Sequence, residues 1–473
     1  TMNWGTWGAN HSSDKMSELI LSAFNNGINS FDHADIYGGY TTEETFGEAF
    51  LKTGINRKNV FYISKCGIMY PSEKLPIKVK HYDYSEKHLI QSVDNSLKYL
   101  KTDYLDCLLL HRPSPLMDIL EIKDLETLAQ KRVPKMFFDY VNSGSWTETT
   151  YNENISDFQK IKLRQRVAID MSNRTMATKM VNQSVSMPVA IAPTGLTGMQ
   201  RADGEILAAQ AAEEFGIPFT LSTMSVCSIE AVAEKTKNPF WFQLYVMKDK
   251  KFMARLIDRA KEAKCSALVL TLDLQILGQR HKDVRNGLST PPKLIPKHIY
   301  QVLTRPMWCL RMLTTKNHFF GNIVGHVEGI KDVRSLGSWI STQFDQKLDW
   351  KEVDWIRKRW GGKLIIKGIL DSEDALLAAK TGADAIIVSN HGGRQLDGAS
   401  STINILPEVV DKVGKLVEVH LDGGIRSGQD VIKAMCLGAK GTYIGRAFLY
   451  GLGALGKEGV TKALDIIKTE ADM

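Results

Sequence analysis

The 473-residue sequence predicts an α/β protein whose larger part is a (β/α)8 TIM barrel. From about Met187 onward, short aliphatic runs alternate with amphipathic helical patterns, which is typical of repeated βα units and a parallel sheet. There are eight such runs, the number of strands in a TIM barrel. A shorter series of the same kind precedes them, so we expect two domains, in keeping with the length of the chain.

The eight predicted strands of the barrel are rich in aliphatic residues. In chain order they are MPVAIAPTG, PFTLS, FWFQLYV, ALVLTLD, KLIIKG, AIIVSN, VEVHLDGG and GTYIGRAF. Helical patterns such as GEILAAQAAEEFG and SEDALLAAKTG separate them. Between the fourth and fifth strands lies a long insertion, about 278–350, and loops of this length are usually functional. Its basic and bulky apolar segment KLIPKHIYQVLTRPMWCLRMLTTKNHFF predicts a lid, a membrane-surface contact or a helix packed against the barrel.

The first part of the chain contains only about half a barrel. The helix SDKMSELILSAFNNG precedes the strand NSFDHADIYG, and a second helix, the strand NVFYISKCG, a long amphipathic helix and YLDCLLLHRP follow. We therefore expect a first domain over 1–116 and a second over 117–473, with the join near 115–118. Because the sequence begins at Thr1 and not at a methionine, we interpret its N-terminus as a fragment.

Composition excludes several classes of protein. The net charge of +7 is spread over many lysines and opposing acids, which indicates a solvated surface and not a nucleic-acid interface. The six cysteines show no CxxC pair and no metal-ligand spacing, so we expect no disulfide, no metal site and a reducing compartment. No apolar stretch reaches the roughly 20 residues that span a bilayer. We expect a cytoplasmic protein, or one attached to the inner face of the cell membrane.

Catalytic residue types lie at the predicted strand ends, where TIM barrels carry their active sites. In IIVSNHGGRQLDG, His391 and Arg394 present a base and a cation together. Asp273, after ALVLTL, can hold the His391 imidazole in one tautomer. Arg280 and Arg394 can each donate a charge-assisted fork to a substrate carboxylate. Two phenols can add further donors: Tyr140 and Tyr245.

The last two strands predict a phosphate site. They end in LDGGIRSGQD and YIGRAF, where paired glycines expose main-chain N–H groups and Arg426 and Arg446 add positive charge. TIM barrels frequently bind phosphate at this place. Lys367, which ends KLIIKG, would be costly to bury without a negative partner, and an anionic reduced cofactor would supply one.

From about Asp124 to the end, these motifs, together with PKMFFDYVNSG, FQLYV and IKGIL, resemble the FMN-dependent L-2-hydroxy acid dehydrogenases and oxidases. The resemblance is greatest to quinone- or cytochrome-linked L-lactate dehydrogenases. It implies FMN as cofactor, oxidation of an L-2-hydroxy acid (first of all L-lactate to pyruvate), transfer of electrons to a quinone or cytochrome, and a homo-oligomer. An oxidase of the glycolate oxidase type, which uses oxygen as acceptor, remains the alternative.

The same resemblance implies a role for each site residue. His391 is the base, Asp273 orients it, and Arg280 and Arg394 hold the substrate carboxylate. Tyr140 and Tyr245 complete the substrate pocket. The residues implied to contact the flavin are Ala192, Thr194, Ser222, Gln243, Thr271 and Lys367. Those implied to hold the ribityl phosphate are Asp422, Gly424, Arg426, Gly445 and Arg446.

Two positions depart from the family pattern. The chain reads TLDLQ at 271–275 where many relatives read TVDTP, which retains Asp273 but loses the proline. Met224 replaces a tryptophan that some oxidases of the family carry. Met224 favours a small, lactate-like substrate and dehydrogenase over oxidase behaviour.

The first part, from about Trp4 to Pro113, resembles the aldo-keto reductases. Its tetrad consists of Asp32, Tyr37, Lys65 and His111. In that family the tyrosine donates a proton to the carbonyl while the other three tune its acidity. The half of the barrel that binds most of the nicotinamide dinucleotide is absent, so we expect a vestigial tetrad without NADPH-linked activity. A working reductase and a non-catalytic interaction module that pairs its open sheet edges remain alternatives, and both a genuine fusion and an accidental joining of two genes fit the sequence.

Overall fold

The computed structural model describes residues 1–77, 80–111, 119–288, 295–327 and 342–473. Contacts divide the chain into two compact units, Thr1–Asp118 and Ile119–Met473. The predicted join at 115–118 lies outside the described residues, as do 289–294 and 328–341 of the predicted insertion. Each unit has its own parallel sheet and its own hydrophobic core.

The first unit contains a three-stranded parallel sheet in the order β1-β2-β5, with β1 at Ser30–Asp32, β2 at Phe61–Cys66 and β5 at Cys107–Leu110. Strands β3 and β4, Ile68–Met69 and His81–Tyr82, form an antiparallel pair. The helices are α1 Ser13–Asn25, α2 Thr42–Thr53 and α3 Glu86–Tyr99, with 3-10 turns at Met2–Trp4 and Arg57–Asn59. The three predicted strands of this part are thereby confirmed.

The interior of the first unit holds two buried carboxyl groups, Asp35 and Glu43. Burial and the neighbouring Glu43 charge raise the pKa of Asp35 to about 7. Ser92 donates to Asp35 at 3.2 Å, whereas Ser64 and Ser96 donate to Glu43. The folded unit therefore retains a proton on Asp35 over a pH range in which the unfolded chain has lost it.

The stability of the first unit is expected to fall as pH rises from about 4 to about 7, because a raised folded-state pKa favours folding only while the group is protonated. Asp35→Asn should remove most of this dependence. Hydrogen exchange of the β2 amides at about pH 5 and about pH 7.5, corrected for intrinsic exchange, measures it. An identical decline in protection in both proteins would contradict the assignment.

The second unit is an eight-stranded parallel barrel, as predicted. The strands are β8 Val189–Ile191, β9 Thr220–Ser222, β10 Trp241–Tyr245, β11 Ala267–Thr271, β12 Lys363–Ile369, β13 Ala385–Val388, β14 Glu418–Asp422 and β15 Gly441–Ile444. Their order around the sheet is β8-β15-β14-β13-β12-β11-β10-β9. A parallel bridge between Ile191 and Phe219 brings the two edges together. The antiparallel pair β6 Thr178–Met180 and β7 Gln183–Val185 precedes the barrel.

Helices of the second unit precede the barrel, follow its strands and occupy the insertion. Those before the barrel are α4 Ile122–Arg132, α5 Lys135–Val141 and α6 Thr149–Lys160. Those between strands are α7 Gly204–Phe215, α8 Ile229–Lys235, α9 Lys250–Glu262, α10 His281–Arg285, α11 Pro296–Leu303, α12 Pro306–Thr314, α13 Trp350–Trp360, α14 Ser372–Lys380, α15 Thr402–Val413 and α16 Gly428–Cys436. The last two are α17 Arg446–Leu455 and α18 Lys457–Asp472, and a 3-10 turn lies at Thr197–Met199.

The aliphatic runs form strands because both of their faces are covered. All four residues of β13 are buried, as expected for a parallel strand with helices outside and barrel core inside. A bulge interrupts β12 at Gly368, which has φ +103°. A Cβ atom at Gly368 would lie 2.8 Å from the Asp273 Cβ, so this glycine makes room for Asp273.

Candidate active site

A cavity of about 530 Å³ lies at the carboxyl ends of the barrel strands. Most of the predicted site residues line it: Tyr140, Ala192, Thr194, Tyr245, Arg280, Lys367, His391, Arg394, Asp422, Gly424, Arg426, Gly445 and Arg446. Met224 also lines it. The strands thus bring together residues that are far apart in the sequence.

His391 and Asp273 form a hydrogen-bonded pair beside this cavity, with 2.8 Å between His391 Nδ1 and Asp273 Oδ1. Burial would raise the pKa of Asp273, but His391 and Lys367 hold it below its ordinary value. Burial lowers the pKa of His391, and the charges of Lys367 and Arg394 lower it further. The Asp273 charge raises it, but the pKa stays below its ordinary value. An ionised Asp273 accepts a hydrogen bond from the Nδ1–H group, so Nε2 of a neutral His391 is the basic atom. The Tyr245 ring stacks on the imidazole at 6.4 Å between centroids.

Two arginines converge on Tyr140. The guanidinium carbons of Arg394 and Arg280 lie 4.6 and 5.8 Å from the centre of its ring. Arg394 Nη1 donates to the Tyr140 carbonyl at 2.6 Å and to the Ser143 carbonyl at 3.2 Å. Arg280 Nε donates to Asp283 Oδ2 at 2.6 Å. Two guanidinium groups placed in this way could hold a carboxylate.

Lys367 lies in a triangle of short polar contacts. Its Nζ lies 2.8 Å from both Ser389 Oγ and Asp422 Oδ2, and Ser389 donates to Asp422 over the same distance. The His391 main-chain N–H donates to Ser389 Oγ at 3.1 Å. Burial would lower the pKa of Lys367, but Asp422 and Asp273 raise it above its ordinary value, so the ammonium group stays charged. Ser389 therefore joins the lysine to the loop of the base.

The predicted phosphate residues lie where β14 and β15 end. Gly424 has φ +90°, and a Cβ atom there would approach the Asn154 carbonyl oxygen to 1.9 Å. Gly445 precedes the first turn of α17, where main-chain N–H groups have no partner within the helix. Arg446 also donates to three carbonyls, those of Val141, Ser143 and Gly392, at 2.8 to 3.0 Å. Arg446 therefore connects the start of α17 to the loops that contain Ser143 and Gly392.

Three predicted cofactor residues lie outside the cavity lining and bond to one another. Ser222 Oγ donates to Gln243 Oε1, and Gln243 Nε2 donates to Thr271 Oγ1, both at 3.0 Å. All three are buried. The barrel thus places them together on adjacent strands β9, β10 and β11.

Sequence reasoning missed three residues that organise the site: Ser389, Gln395 and Asp283. Gln395 Nε2 donates to the carbonyls of Asp273 and Ile276 at 2.8 and 3.1 Å, so it holds the loop that lacks the family proline. Gln395 lies in the motif that contains His391. Asp283 follows Arg280 by three residues, a spacing that brings helical side chains together.

The first unit brings its predicted tetrad together. Lys65 Nζ lies 2.5 Å from Asp32 Oδ1 and 3.4 Å from the Tyr37 hydroxyl. The Tyr37 and His111 rings are 5.9 Å apart at their centroids, edge to face. Within the described residues, only the three strands β1, β2 and β5 form the sheet that carries the tetrad.

The described ranges contain neither a cluster of metal ligands nor a membrane-spanning helix. No group of three or more His, Cys, Asp or Glu side chains there is placed to hold a metal ion. No helix of the same ranges is long and apolar enough to cross a membrane.

Comparison with solved structures relates the barrel to a mandelate dehydrogenase and a mandelate oxidase. The structure of (S)-mandelate dehydrogenase, described as a monotopic membrane protein, is 35% identical with a TM-score of 0.71, over 75% of this chain and 94% of that one. Mandelate oxidase with (S)-4-hydroxymandelic acid is 32% identical with a TM-score of 0.65, over 75% and 93%.

Sequence comparisons give the same relationship. L-lactate dehydrogenases of Haemophilus influenzae (strain PittEE) and Acinetobacter baumannii (strain AYE) are each 45% identical, over 75% and 73% of this chain and 93% and 91% of the relatives. The aldo/keto reductase family model matches residues 1–133. The model of the FMN-dependent dehydrogenases matches residues 129–473, most of the chain. The chain belongs to the FMN-dependent dehydrogenase family, and a partial aldo/keto reductase segment precedes its family domain.

Proposed function

We propose that this protein oxidises L-lactate to pyruvate with FMN as cofactor and passes the electrons to a quinone or a cytochrome. The observation that carries the proposal is the His391–Asp273 pair, which lies beside the Arg280 and Arg394 anion site in one cavity. A base and a carboxylate clamp in one cavity suit a 2-hydroxy acid, whose hydroxyl and carboxylate are on adjacent carbons. The 45% identity to L-lactate dehydrogenases supports the choice of lactate.

The residues present fit FMN. At one end of the cavity, Gly445 leaves main-chain space and Arg426 adds a positive charge to the lining, which suits a phosphate. At the other end Lys367 offers a charged ammonium group near His391, which suits the edge of a flavin that gathers negative charge. FMN, when bound, accepts the two electrons of the oxidation.

The protein's own side chains bind the substrate and move its proton. Arg280 and Arg394 orient the carboxylate through charge-assisted hydrogen bonds. His391 Nε2 takes a proton from the substrate, and Asp273 stabilises the imidazolium that results. Both a proton from the hydroxyl and a proton from the carbon are compatible with this base.

A comparison of hydroxy acids tests the choice of substrate. We expect a higher kcat/KM with L-lactate than with L-mandelate, because the large side chains of Met224 and Leu274 line the cavity and leave less room for a phenyl ring. Glycolate, which lacks the methyl group of lactate, serves as the smaller comparison. The acceptors are compared in the same assay: oxygen, cytochrome c and a short-chain quinone. Higher kcat/KM with L-mandelate would overturn the choice of lactate, and fast turnover with oxygen would favour the oxidase alternative.

Helices α11 and α12 are the surface that we propose contacts a membrane. They expose large apolar side chains: Ile299 52%, Tyr300 70%, Leu303 67%, Met307 56%, Leu310 55% and Leu313 81%. Lys297 lies in the first turn of α11 and Lys316 follows α12, and basic residues attract anionic headgroups. α12 also contributes Trp308, which stacks on the cavity residue Phe137 at 5.4 Å, so this surface adjoins the site. A lipid-soluble quinone would thus be available close to the cofactor.

Changing Leu310 and Leu313 together to serine should weaken binding to phosphatidylglycerol vesicles at least ~tenfold, because each leucine gains roughly 1.5 to 3 kcal/mol on full burial. Sedimentation with the vesicles measures the bound fraction. Leu416→Ser is the matched control, since Leu416 is 65% exposed elsewhere on the unit. Unchanged binding of the double variant would remove these helices from the proposed contact.

The assembled tetrad of the first unit is the one observation that favours a second activity, NADPH-linked reduction of an aldehyde. NADPH consumption with an aldehyde, compared between the full chain and its Tyr37→Phe variant, tests it. Consumption that depends on Tyr37 would establish the reductase. Equal rates in the two proteins would leave two interpretations of the first unit, a vestigial tetrad or a non-catalytic interaction module. Comparing the oligomer size of the full chain with that of a chain truncated at Met117 distinguishes them.

A further inference from the structure

We infer that Asp283 sets the net charge of the substrate site and thereby selects monoanionic over dianionic hydroxy acids. This inference rests on the proposed function, because it concerns the anion site formed by Arg280 and Arg394. Asp283 lies in the short helix α10, is 5% exposed and lines the cavity.

The contact between Asp283 and Arg280 involves only the Nε edge of the guanidinium group. Asp283 Oδ2 accepts from Nε at 2.6 Å, whereas the two terminal nitrogens of Arg280 make no hydrogen bond to the described residues. Asp283 therefore holds the side chain from one edge, and the terminal N–H groups remain available for a substrate carboxylate.

The two arginines are close enough to repel each other. Both lie over the ring of Tyr140, at 5.8 and 4.6 Å. Burial and the charge of Arg280 lower the pKa of Arg394, while Asp283 acts in the opposite direction on both arginines. A buried carboxylate next to the pair reduces two positive charges to one net positive charge.

Other charged groups at this end of the cavity already have partners. Lys367 is paired with Asp422, and Asp273 is hydrogen-bonded to the neutral His391, so these groups supply no further positive charge. A substrate with one carboxylate therefore neutralises the remaining charge of the anion site. A second carboxylate would enter a partly desolvated space without a cation of its own, and an unpaired buried charge is strongly unfavourable.

The surroundings of Asp283 Oδ1 indicate that the charge of Asp283 matters, and not only its hydrogen bond to Arg280. This oxygen is buried and has no hydrogen-bond partner among the described residues. An amide oxygen would accept from Arg280 Nε as well, so the hydrogen bond alone does not require a carboxylate. What the carboxylate adds for Arg280 is its charge.

Calorimetric titration of the FMN-loaded protein with malonate, a dianion, and propionate, a monoanion, at about pH 8 tests the inference without turnover. Asp283→Asn keeps an acceptor for Arg280 but removes the charge. We expect its affinity for malonate relative to propionate to rise at least ~tenfold over wild type, as Coulomb interactions across a few ångströms of partly buried space predict. Asp283→Glu, which retains the charge, should keep the wild-type ratio.

Asp258→Asn is the control for a change of overall charge, since Asp258 pairs with Arg359 on other helices. An unchanged ratio in Asp283→Asn, or the same rise in Asp258→Asn, would overturn the inference. If Asp283→Asn does not fold, the wild type alone decides: equal affinity for malonate and propionate would also overturn it. Failure of the proposed function is a separate result, namely a flavin that no L-2-hydroxy acid reduces.

Discussion

Replacement of His391 by alanine lowers kcat with L-lactate by at least ~10²-fold, the typical loss when a general base is removed. The expectation follows from the geometry: Nδ1 is held by Asp273 at 2.8 Å, which leaves Nε2 as the basic atom of the cavity. Steady-state turnover with an artificial acceptor measures the effect. His326→Ala is the control, because His326 does not line the cavity. Near-normal turnover of His391→Ala would eliminate this base.

The pH profile of the wild type provides an independent check on the same residue. Burial and the charges of Lys367 and Arg394 lower the pKa of His391. Because the base must be unprotonated to act, the acidic limb of kcat/KM should lie below the ordinary histidine value of about 6.5. Asp273→Asn should move this limb to still lower pH, since Asp273 is the group that raises the histidine pKa. A limb above the ordinary value would contradict the assigned environment.

The second large effect concerns the phosphate site. Changing Arg426 and Arg446 together to alanine should give protein that purifies without yellow colour, since two charge-assisted contacts contribute about 1.5 to 3 kcal/mol each. FMN affinity is measured by fluorescence quenching on reconstitution. The matched control is Arg357→Ala, which removes an arginine paired with Asp384 away from the cavity. Retention of FMN by the double variant would contradict the assignment.

A single variant of Arg446 separates two functions of this residue. Its side chain is predicted to bind phosphate, but in the structure it donates hydrogen bonds to loop carbonyls. It donates to the carbonyls of Val141, Ser143 and Gly392, a set that a lysine cannot reproduce with one ammonium group. Arg446→Lys retains the positive charge but loses the hydrogen bonds to the loops. Compared with the double variant, it therefore shows whether Arg446 mainly binds phosphate or mainly positions the loops. Weaker substrate binding with retained FMN would indicate positioning.

The barrel could be predicted from the sequence because buried parallel strands leave a direct pattern. AIIV at 385–388 is buried on both faces, and each of the other seven aliphatic runs likewise contains a strand. The strand ends also follow from the pattern, which is why His391, Lys367 and Asp422 could be expected in one place. Local sequence determines these features almost completely.

Contacts between distant segments could not be predicted in the same way. In the sequence Ser389 is only one residue of the motif that contains His391, yet its hydroxyl contacts Lys367 and Asp422, which lie on neighbouring strands. The Arg446 and Gln395 side chains donate to main-chain carbonyls of other loops, and these hydrogen bonds likewise depend on how the loops meet above the barrel. Periodicity reports which face of an element is buried, whereas it contains no information on such partners.

The visible absorption spectrum of the purified full chain, recorded before and after anaerobic addition of L-lactate, tests the central claim most directly. We expect a flavin spectrum that bleaches on addition of L-lactate and does not bleach with D-lactate. A flavin spectrum unchanged by L-lactate, glycolate and L-mandelate would contradict the proposed oxidation of 2-hydroxy acids.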